Sequence, residues 1–192
     1  ALYSGRTFIG QRQFDAKRFI SILNEQHSNI ALFLVPTMLH QLLNVDTTIT
    51  HIKSIFCSGA KLSESLFKTV SQQFKNANII EFFGTSEASF ITYNFNQTSP
   101  TNSVGQVFPN VSIKLEAQDN RKIGLLKVQS NMIYSGYVDV EVVQPHSWIE
   151  TGDYAYIQNN QLYLVSRKSD RLIIGGKNIY PNVIEQQVKS LD

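Results

Sequence analysis

Three polar residues near the carboxyl end of the chain have types and a spacing that would suit ribose binding. Asp153 follows a Thr-Gly pair in what reads as a turn, Arg167 comes after the next short hairpin, and Ser169 follows two residues later. A carboxylate accepts hydrogen bonds from ribose hydroxyls, and a guanidinium is always charged and offers several donors. This spacing predicts a ribose site beside a movable joint. A plain β-meander with a salt-bridged turn is the alternative that the spacing leaves open.

The stretch from residue 148 to residue 185 resembles the carboxyl-proximal signature of the adenylate-forming superfamily. That superfamily includes acyl-CoA synthetases, firefly luciferase and the adenylation domains of peptide synthetases. Three blocks carry the resemblance, in the family's order and at its spacing: WIETGD, SRKSD and GGKNIYPNVIE.

The resemblance implies a role for each of five residues in these blocks. Asp153 and Arg167 are expected to bind the ribose, and Arg167 also the phosphate region. Ser169 stands at the family's domain hinge, where Asp or Lys is usual. Gly175 and Gly176 resemble the pair that lines the pantetheine tunnel, although a strand-to-loop turn needing positive φ would also select glycine.

The run Phe83 to Glu87 corresponds to the family's Tyr-Gly-x-Thr-Glu. Phe83 offers an aromatic face to adenine, and Gly84 permits close approach of the backbone. The hydroxyls of Thr85 and Ser86 can donate to phosphate oxygens, and Glu87 supplies a hard oxygen ligand for Mg²⁺. Ser86 and Glu87 are therefore the predicted catalytic residues. A buried strand that ends in an ordinary glycine turn is the alternative.

Two further segments are expected at the nucleotide. Glu81 stands where relatives often carry Asn or Asp near the adenine amino group, and Phe82 adjoins it in the same strand. The tripeptide Ser58-Gly59-Ala60 resembles the family's Ser-Gly-Gly-Ala, whose backbone lies along adenine and the acyl pocket. Cys57 precedes that tripeptide without a visible base partner, so it is interpreted as a buried structural thiol.

The resemblance is closest to bacterial acyl-CoA synthetases of the fatty-acid–CoA ligase type, and it implies a two-step reaction. A carboxylate, with a fatty acid favoured, attacks the α-phosphate of Mg·ATP to give an acyl-adenylate and pyrophosphate. The thiol of coenzyme A then displaces AMP. The alternatives are an aryl-acid or succinylbenzoate CoA ligase, a degenerate or regulatory nucleotide-binding relative, and a structural domain without a ligand.

Composition sets the broad class. The 192 residues are 42% hydrophobic and 17% charged, as in an ordinary globular protein, and the formal net charge of +2 gives no reason to expect nucleic acid binding. No apolar run approaches the roughly 20 residues of a membrane-spanning helix. A single cysteine excludes an internal disulfide and fits a cytoplasmic location.

The elements that position these residues follow from hydrophobic periodicity. Strands and helices alternate up to Glu87, which predicts an α/β layer with a parallel sheet and ligands at the carboxyl ends of its strands. An antiparallel β subdomain, in the family a distorted barrel, is expected next, followed by the start of a small α+β domain. The predicted division is 1–100, 101–167 and 168–192.

Within this plan, several segments are assigned individually. A strand is predicted at 5–10, and the apolar run 30–35 is predicted to be a strand buried on both faces. The polar stretch 91–103 is read as a loop or linker. Period-two alternation predicts strands at 111–115, 124–128 and 133–138.

The chain is expected to be the middle of a larger enzyme. The family's phosphate loop with its lysine should precede Ala1, and its catalytic lysine should follow Asp192. The chain alone is therefore not expected to catalyse the reaction.

Overall fold

The computed structural model describes residues 4–45, 49–100, 102–116, 120–140, 142–174 and 177–189. The helices in these residues are α1 Ala16–Asn24, α2 Pro36–Leu43, α3 Glu64–Gln73 and α4 Pro181–Lys189, with a short 3-10 helix at Lys168–Asp170. The strands are β1 Ile30–Leu34, β2 Ile52–Cys57, β3 Asn78–Thr85, β4 Ser89–Phe95, β5 Gln106–Val107, β6 Ser112–Glu116, β7 Gly124–Gln129, β8 Ile149–Gln158, β9 Gln161–Arg167, β10 Leu172–Ile174 and β11 Lys177–Ile179.

The first sheet has five strands in the order β1-β2-β3-β4-β5. β1, β2 and β3 are parallel, and β4 and β5 extend the sheet in antiparallel fashion. Buried side chains of α1, α2 and α3 join those of β1, β2 and β3 in one hydrophobic cluster, so these helices cover one face of the sheet. The predicted parallel α/β layer is confirmed.

The helix starts follow local sequence rules. Asp15 caps α1 by accepting a hydrogen bond from the Arg18 N–H at 2.7 Å, and Ser63 caps α3 by accepting one from the Leu66 N–H at 3.2 Å. Pro36 begins α2, where its missing N–H has no helical partner to lose. These caps fix where each helix leaves the end of the preceding strand or loop.

The second sheet has four antiparallel strands in the order β6-β7-β8-β9, as predicted for this part of the chain. Its core contains Leu126, Val128, Ala155 and Leu162. The two sheets meet where Gly105 pairs with Leu162, so the end of β3 and the middle of β8 come to face the same cleft.

Two predicted strands are absent from the described residues. Residues 5–10 form no strand. Phe8 is 76% exposed, so the apolar character of this segment does not reflect burial against a sheet. Residues 133–138 are likewise irregular, although Ile133 and Tyr134 pack on the second core. The period-two pattern was wrong there because these residues pack against the end of β3 rather than pairing with a strand.

Two other assignments are corrected. β1 is not buried on both faces: Phe33 is 66% exposed and stacks on Phe56 at 4.7 Å, because the described helices cover only the opposite face. The polar stretch after residue 90 is not all loop, since β4 runs to Phe95 through a buried Thr92. The Thr92 hydroxyl donates to the Val104 carbonyl at 2.6 Å, so a satisfied polar side chain sits inside the sheet.

The end of the described chain is a β10–β11 hairpin followed by α4, with Tyr180 buried against the second sheet. This order of elements agrees with the predicted start of an α+β unit. None of the helices in the described residues has both the length and the apolar character needed to cross a membrane.

Candidate nucleotide-binding site

A cleft of 460 Å³ opens where the carboxyl ends of β2 and β3 face β8 and β9. It has the size of an ordinary small-molecule site. Nine of the predicted binding residues line it: Ser58, Gly59, Ala60, Glu81, Phe82, Phe83, Gly84, Asp153 and Arg167. Predicted residues as far apart in sequence as Ser58 and Arg167 therefore meet at one surface. The prediction did not include the other lining residues: Lys61, Val104, Leu164, Val165, Ser166 and Glu185.

Asp153 and Arg167 are directly opposite each other on β8 and β9. The Arg167 Nε lies 3.1 Å from Asp153 Oδ1, and its Nη1 donates to the Thr151 carbonyl at 3.2 Å. The Thr-Gly-Asp segment is part of β8 rather than the predicted turn, because antiparallel pairing with β9 continues through it. This pairing brings the two residues together and fixes the guanidinium beside the carboxylate.

The Asp153 carboxylate is buried and only partly satisfied. The residue is 4% exposed, and Oδ2 has no hydrogen-bond partner within the described part of the chain. Burial raises the pKa of Asp153, and Arg167 and the Thr151 hydroxyl oppose that rise. An orphaned carboxylate oxygen is costly to bury, so its place on a cleft wall fits an acceptor for donors such as ribose hydroxyls.

The end of β3 is held tightly against β4. A Cβ built on Gly84 would lie 1.9 Å from the Ser89 carbonyl oxygen, so only glycine fits this bulge of the hairpin. Phe82 packs its ring on Phe90 with centroids 4.8 Å apart, while Phe83 is half-buried against the second core. Both aromatic side chains line the cleft, and the role of Phe83 as an adenine platform stays a prediction.

The residues after Gly84 form a compact turn at the rim of the cleft. The Thr85 hydroxyl accepts a hydrogen bond from the Ala88 N–H at 3.1 Å, which closes the turn. Ser86 is exposed and Glu87 is half-buried. The turn thus offers hydroxyls and a carboxylate at adjacent positions, as the sequence predicted, although their contact with phosphate or metal stays a prediction.

Glu87 is kept ionised by its neighbours. The Tyr137 hydroxyl donates to its Oε1 at 2.5 Å, and this bond is the largest influence lowering the pKa of Glu87. The Glu87 backbone N–H lowers the pKa further; burial raises it by less than either of these bonds lowers it, and the Thr85 hydroxyl and the charge of Arg167 add smaller reductions. Sequence reasoning did not assign Tyr137 a role, because it lies 50 residues away and only the fold brings it here.

Glu81 is bound within the protein. Its Oε1 accepts from the Leu62 N–H at 2.7 Å, and its Oε2 accepts from Lys61 Nζ at 2.8 Å. Lys61 also donates to the Ser103 carbonyl at 2.8 Å. Glu81 therefore anchors the segment after Ser58-Gly59-Ala60 to the end of β3. The proposed contact with adenine would use the remaining lone pairs of the carboxylate.

The Ser58-Gly59-Ala60 segment leaves the carboxyl end of β2. Gly59 has φ +90°, which favours glycine, and the Ser58 N–H donates to the Leu34 carbonyl at 3.3 Å. Cys57 precedes it and is fully buried. Burial, with a smaller contribution from the Glu81 charge, raises the pKa of Cys57 to about 12, which agrees with the structural-thiol interpretation.

The predicted hinge residue, Ser169, does not line the cleft. Ser169 is exposed within the short 3-10 helix and donates to Asp170 Oδ1 at 2.8 Å. Its hinge role stays a prediction. Gly175 and Gly176 lie outside the described residues, so the predicted coenzyme A tunnel is not described by this structure.

The predicted role of Glu87 with Mg²⁺ needs few protein ligands. Within the described ranges, no group of three or more His, Cys, Asp or Glu side chains could hold a metal ion. Mg²⁺ is commonly bound by one or two carboxylates together with substrate phosphates and water. Glu87 at the rim is suited to that arrangement, and Asp153 with its unpaired oxygen is suited to the ribose.

Comparisons with known proteins identify the family of the chain and its fold. The sequence profile of the family described as AMP-binding enzyme matches residues 1–138. VraA of Staphylococcus epidermidis, provisionally named a long chain fatty acid-CoA ligase, is 50% identical over 192 residues; the match covers 100% of this chain and 42% of VraA. The chain thus spans less than half the length of this relative.

Two solved structures share the fold. The unliganded o-succinylbenzoate coenzyme A synthetase (MenE) of Bacillus subtilis superposes with a TM-score of 0.77 at 24% identity, covering 94% of this chain and 42% of that one. Its complex with ATP and magnesium superposes with a TM-score of 0.76 at 24% identity, covering 92% and 39%. At this identity the likeness concerns the fold.

Proposed function

The chain belongs to the AMP-binding enzyme family, and from this premise we propose that it is the nucleotide-binding middle of an acyl-CoA synthetase. The full-length protein would activate a carboxylic acid with Mg·ATP to an acyl-adenylate and pass the acyl group to coenzyme A. The chain alone would bind the nucleotide without completing the reaction.

The observation that carries the proposal is the unpaired Oδ2 of Asp153 on the wall of the cleft. A buried carboxylate oxygen without a partner in the described residues is expected to gain one from a ligand. Arg167 holds the other oxygen and so fixes the direction of the free one. Ribose, with two neighbouring hydroxyl donors, suits this acceptor.

The turn at 85–88 would receive the phosphates. Thr85 and Ser86 bring hydroxyl donors, which offset charge that develops on phosphate oxygens. Mg²⁺, when bound with the nucleotide, would supply further neutralisation of that charge. Glu87 would hold the cation, and Arg167 would orient the ribose from the opposite side of the cleft. Burial of Glu81 and Asp153 sets both acceptors in place before the nucleotide enters.

The acid class is the finer part of the proposal. The name of the 50% identical relative favours a long-chain fatty acid. The name of the fold neighbour favours o-succinylbenzoate, which is the second candidate. The greater sequence identity of the first supports the fatty acid.

The proposal also includes the division of the chain. Residues 1–100 and 101–167 would belong to one large domain, and 168–192 would begin a small domain that rotates about Ser169. A cytoplasmic location is part of the proposal and is favoured by the single free, buried thiol of Cys57.

The test is acid-dependent exchange of labelled pyrophosphate into ATP by the full-length protein, without coenzyme A. Fatty acids of several lengths, o-succinylbenzoate and amino acids would be compared. The proposal expects exchange with fatty acids that is lost in Asp153→Ala and kept in Glu25→Ala, whose carboxylate is exposed at the end of α1.

Exchange with o-succinylbenzoate alone would replace the fatty acid by the second candidate. Nucleotide binding without exchange for any acid would favour a degenerate or regulatory relative. No binding of ATP by the full-length protein would overturn the proposal altogether.

A further inference from the structure

The segment 134–137 lies against the turn that carries Glu87. The Tyr134 N–H donates to the Glu87 carbonyl at 2.8 Å, and the Tyr137 hydroxyl donates to the Glu87 carboxylate at 2.5 Å. One residue is thus held through both its backbone and its side chain by a segment about 50 positions further along the chain.

This segment is itself well anchored. The Val143 N–H donates to the Ser135 carbonyl at 2.9 Å, and the rings of Tyr134 and Tyr137 meet edge to face with centroids 5.1 Å apart. Tyr134 also packs on the core of the second sheet. The Tyr137 ring is 58% exposed, so contacts of the segment rather than burial hold its hydroxyl at Glu87.

We propose that Tyr137 is a positioning residue that orients the Glu87 carboxylate for the cation bound with the nucleotide. The inference rests on the proposed function, in which Glu87 holds that cation. Tyr137 does not line the cleft, so the inference adds a residue from the second half of the chain to the phosphate end of the site.

The physical reason is the acceptor capacity of a carboxylate. Its two oxygens offer about four acceptor positions, so one phenol donor fixes the orientation of the group and leaves positions for a cation. Without that donor, a half-buried Glu87 would sample other rotamers and would pay to be ordered when the cation binds. Removing hydrogen-bond partners of metal-binding side chains typically weakens metal affinity about 10- to 100-fold.

The test compares two tyrosine variants in the full-length protein. Tyr137→Phe removes the donor and keeps the ring. Tyr134→Phe is the matched control, because no hydrogen bond from its hydroxyl to Glu87 occurs among the described residues and its backbone contact is retained. Glu87→Gln is the reference for loss of the cation site.

The probe is α,β-methylene ATP, which cannot release pyrophosphate. Its affinity would be measured by calorimetry with Mn²⁺ and again with EDTA, and bound Mn²⁺ would be followed by electron paramagnetic resonance. We expect Tyr137→Phe to weaken the Mn²⁺ complex about tenfold, the lower end of the range because the contact is exposed, and to leave the metal-free affinity unchanged. Tyr134→Phe should match the wild type in both.

Equal weakening with and without Mn²⁺ would identify Tyr137 as merely structural and overturn the inference. So would a Tyr137→Phe protein that matches the wild type while Glu87→Gln loses the metal-dependent gain. If the wild type itself gains nothing from Mn²⁺, the proposed cation site fails and the role of Tyr137 fails with it, whereas nucleotide binding through Asp153 would stand.

Discussion

Asp153→Asn should separate stability from nucleotide binding, because Arg167 and the Thr151 hydroxyl offset only part of the cost of burying the wild-type carboxylate. Burial raises the pKa of Asp153 despite the nearby Arg167, so the charged form is disfavoured in the folded, ligand-free protein. The amide keeps the shape of the side chain and removes the charge. The variant should therefore be at least as stable as the wild type and bind nucleotide less well.

The binding loss follows from the change of acceptor. Hydrogen bonds to charged groups contribute about 1.5–3 kcal/mol and neutral ones about 0.5–1.5 kcal/mol. Two ribose hydroxyls donating to an amide instead of a carboxylate would cost about 2–3 kcal/mol, or roughly 30- to 150-fold in the Kd. Ligand at one hundred times the wild-type Kd stabilises by about 2.7 kcal/mol, which would fall to about 0.4 kcal/mol for a 100-fold weaker complex.

The stability change has a definite sign with pH. A carboxyl group whose folded pKa lies above its ordinary value of 3.8 lowers stability at pH values above that folded pKa. The cost disappears as the pH falls below the ordinary value, where both states are protonated. The variant should thus have its advantage near pH 7 and lose it near pH 4 or below. Loss of the ion pair subtracts little, about 0–1 kcal/mol, because the Arg167 side chain is 55% exposed.

The assay combines calorimetric titration with ATP·Mg²⁺ and thermal unfolding at both pH values, with and without ligand. Glu25→Gln, which changes an exposed carboxylate just after α1, is the control and should change neither quantity. An unchanged Kd in Asp153→Asn would refute the ribose-acceptor role. An unfolding temperature well below that of the wild type at pH 7 would refute the argument that burial makes the Asp153 charge destabilising.

Two further predictions concern the residues behind the cleft. Lys61→Met leaves the buried Glu81 with the Leu62 N–H as its one remaining partner among the described residues, so we expect a loss of about 1–2 kcal/mol in the free energy of unfolding, discounted because the Lys61 side chain is 38% exposed. Adding Glu81→Gln should restore much of this loss. Additive losses of the two substitutions in urea denaturation would contradict the prediction. Cys57, whose pKa is raised to about 12, should not react with a thiol reagent at pH 8 until urea unfolds the protein, and rapid labelling of the native state would show that the thiol is accessible.

Much of the first layer was predictable because its signals are local. Apolar runs and helical periodicity depend on neighbours within a few residues, and the strands and helices before Glu87 alternate as the sequence predicted. Much of β4 was missed because Thr92 belongs to a polar stretch that was predicted to be a loop. In the structure its hydroxyl donates to the Val104 carbonyl inside the sheet. The strand predicted at 133–138 was wrong because alternation alone does not supply a partner strand.

The candidate site was also predictable only in part. The types of residue at Asp153, Arg167, Glu81 and Glu87 could be read from the sequence, and the structure brings the first three onto one cleft with Glu87 at its rim. The contacts that each side chain makes there could not be predicted from the sequence. The Lys61 contact to Glu81 spans 20 residues and the Tyr137 contact to Glu87 spans 50, and no local pattern encodes either distance.

By itself, the sequence determined the kinds of chemical group available, the alternation of strands and helices, and the family resemblance. Only the tertiary structure decided which carboxylate oxygen has no partner among the described residues, which cation neutralises Glu81 and which phenol donates to Glu87. The reason is physical: residue type fixes hydrogen-bonding capacity, whereas burial and partners depend on strand register and on loops closed over tens of residues. The open acceptor on Asp153 exists because β9 supplies an arginine to one of its oxygens and the fold buries the other.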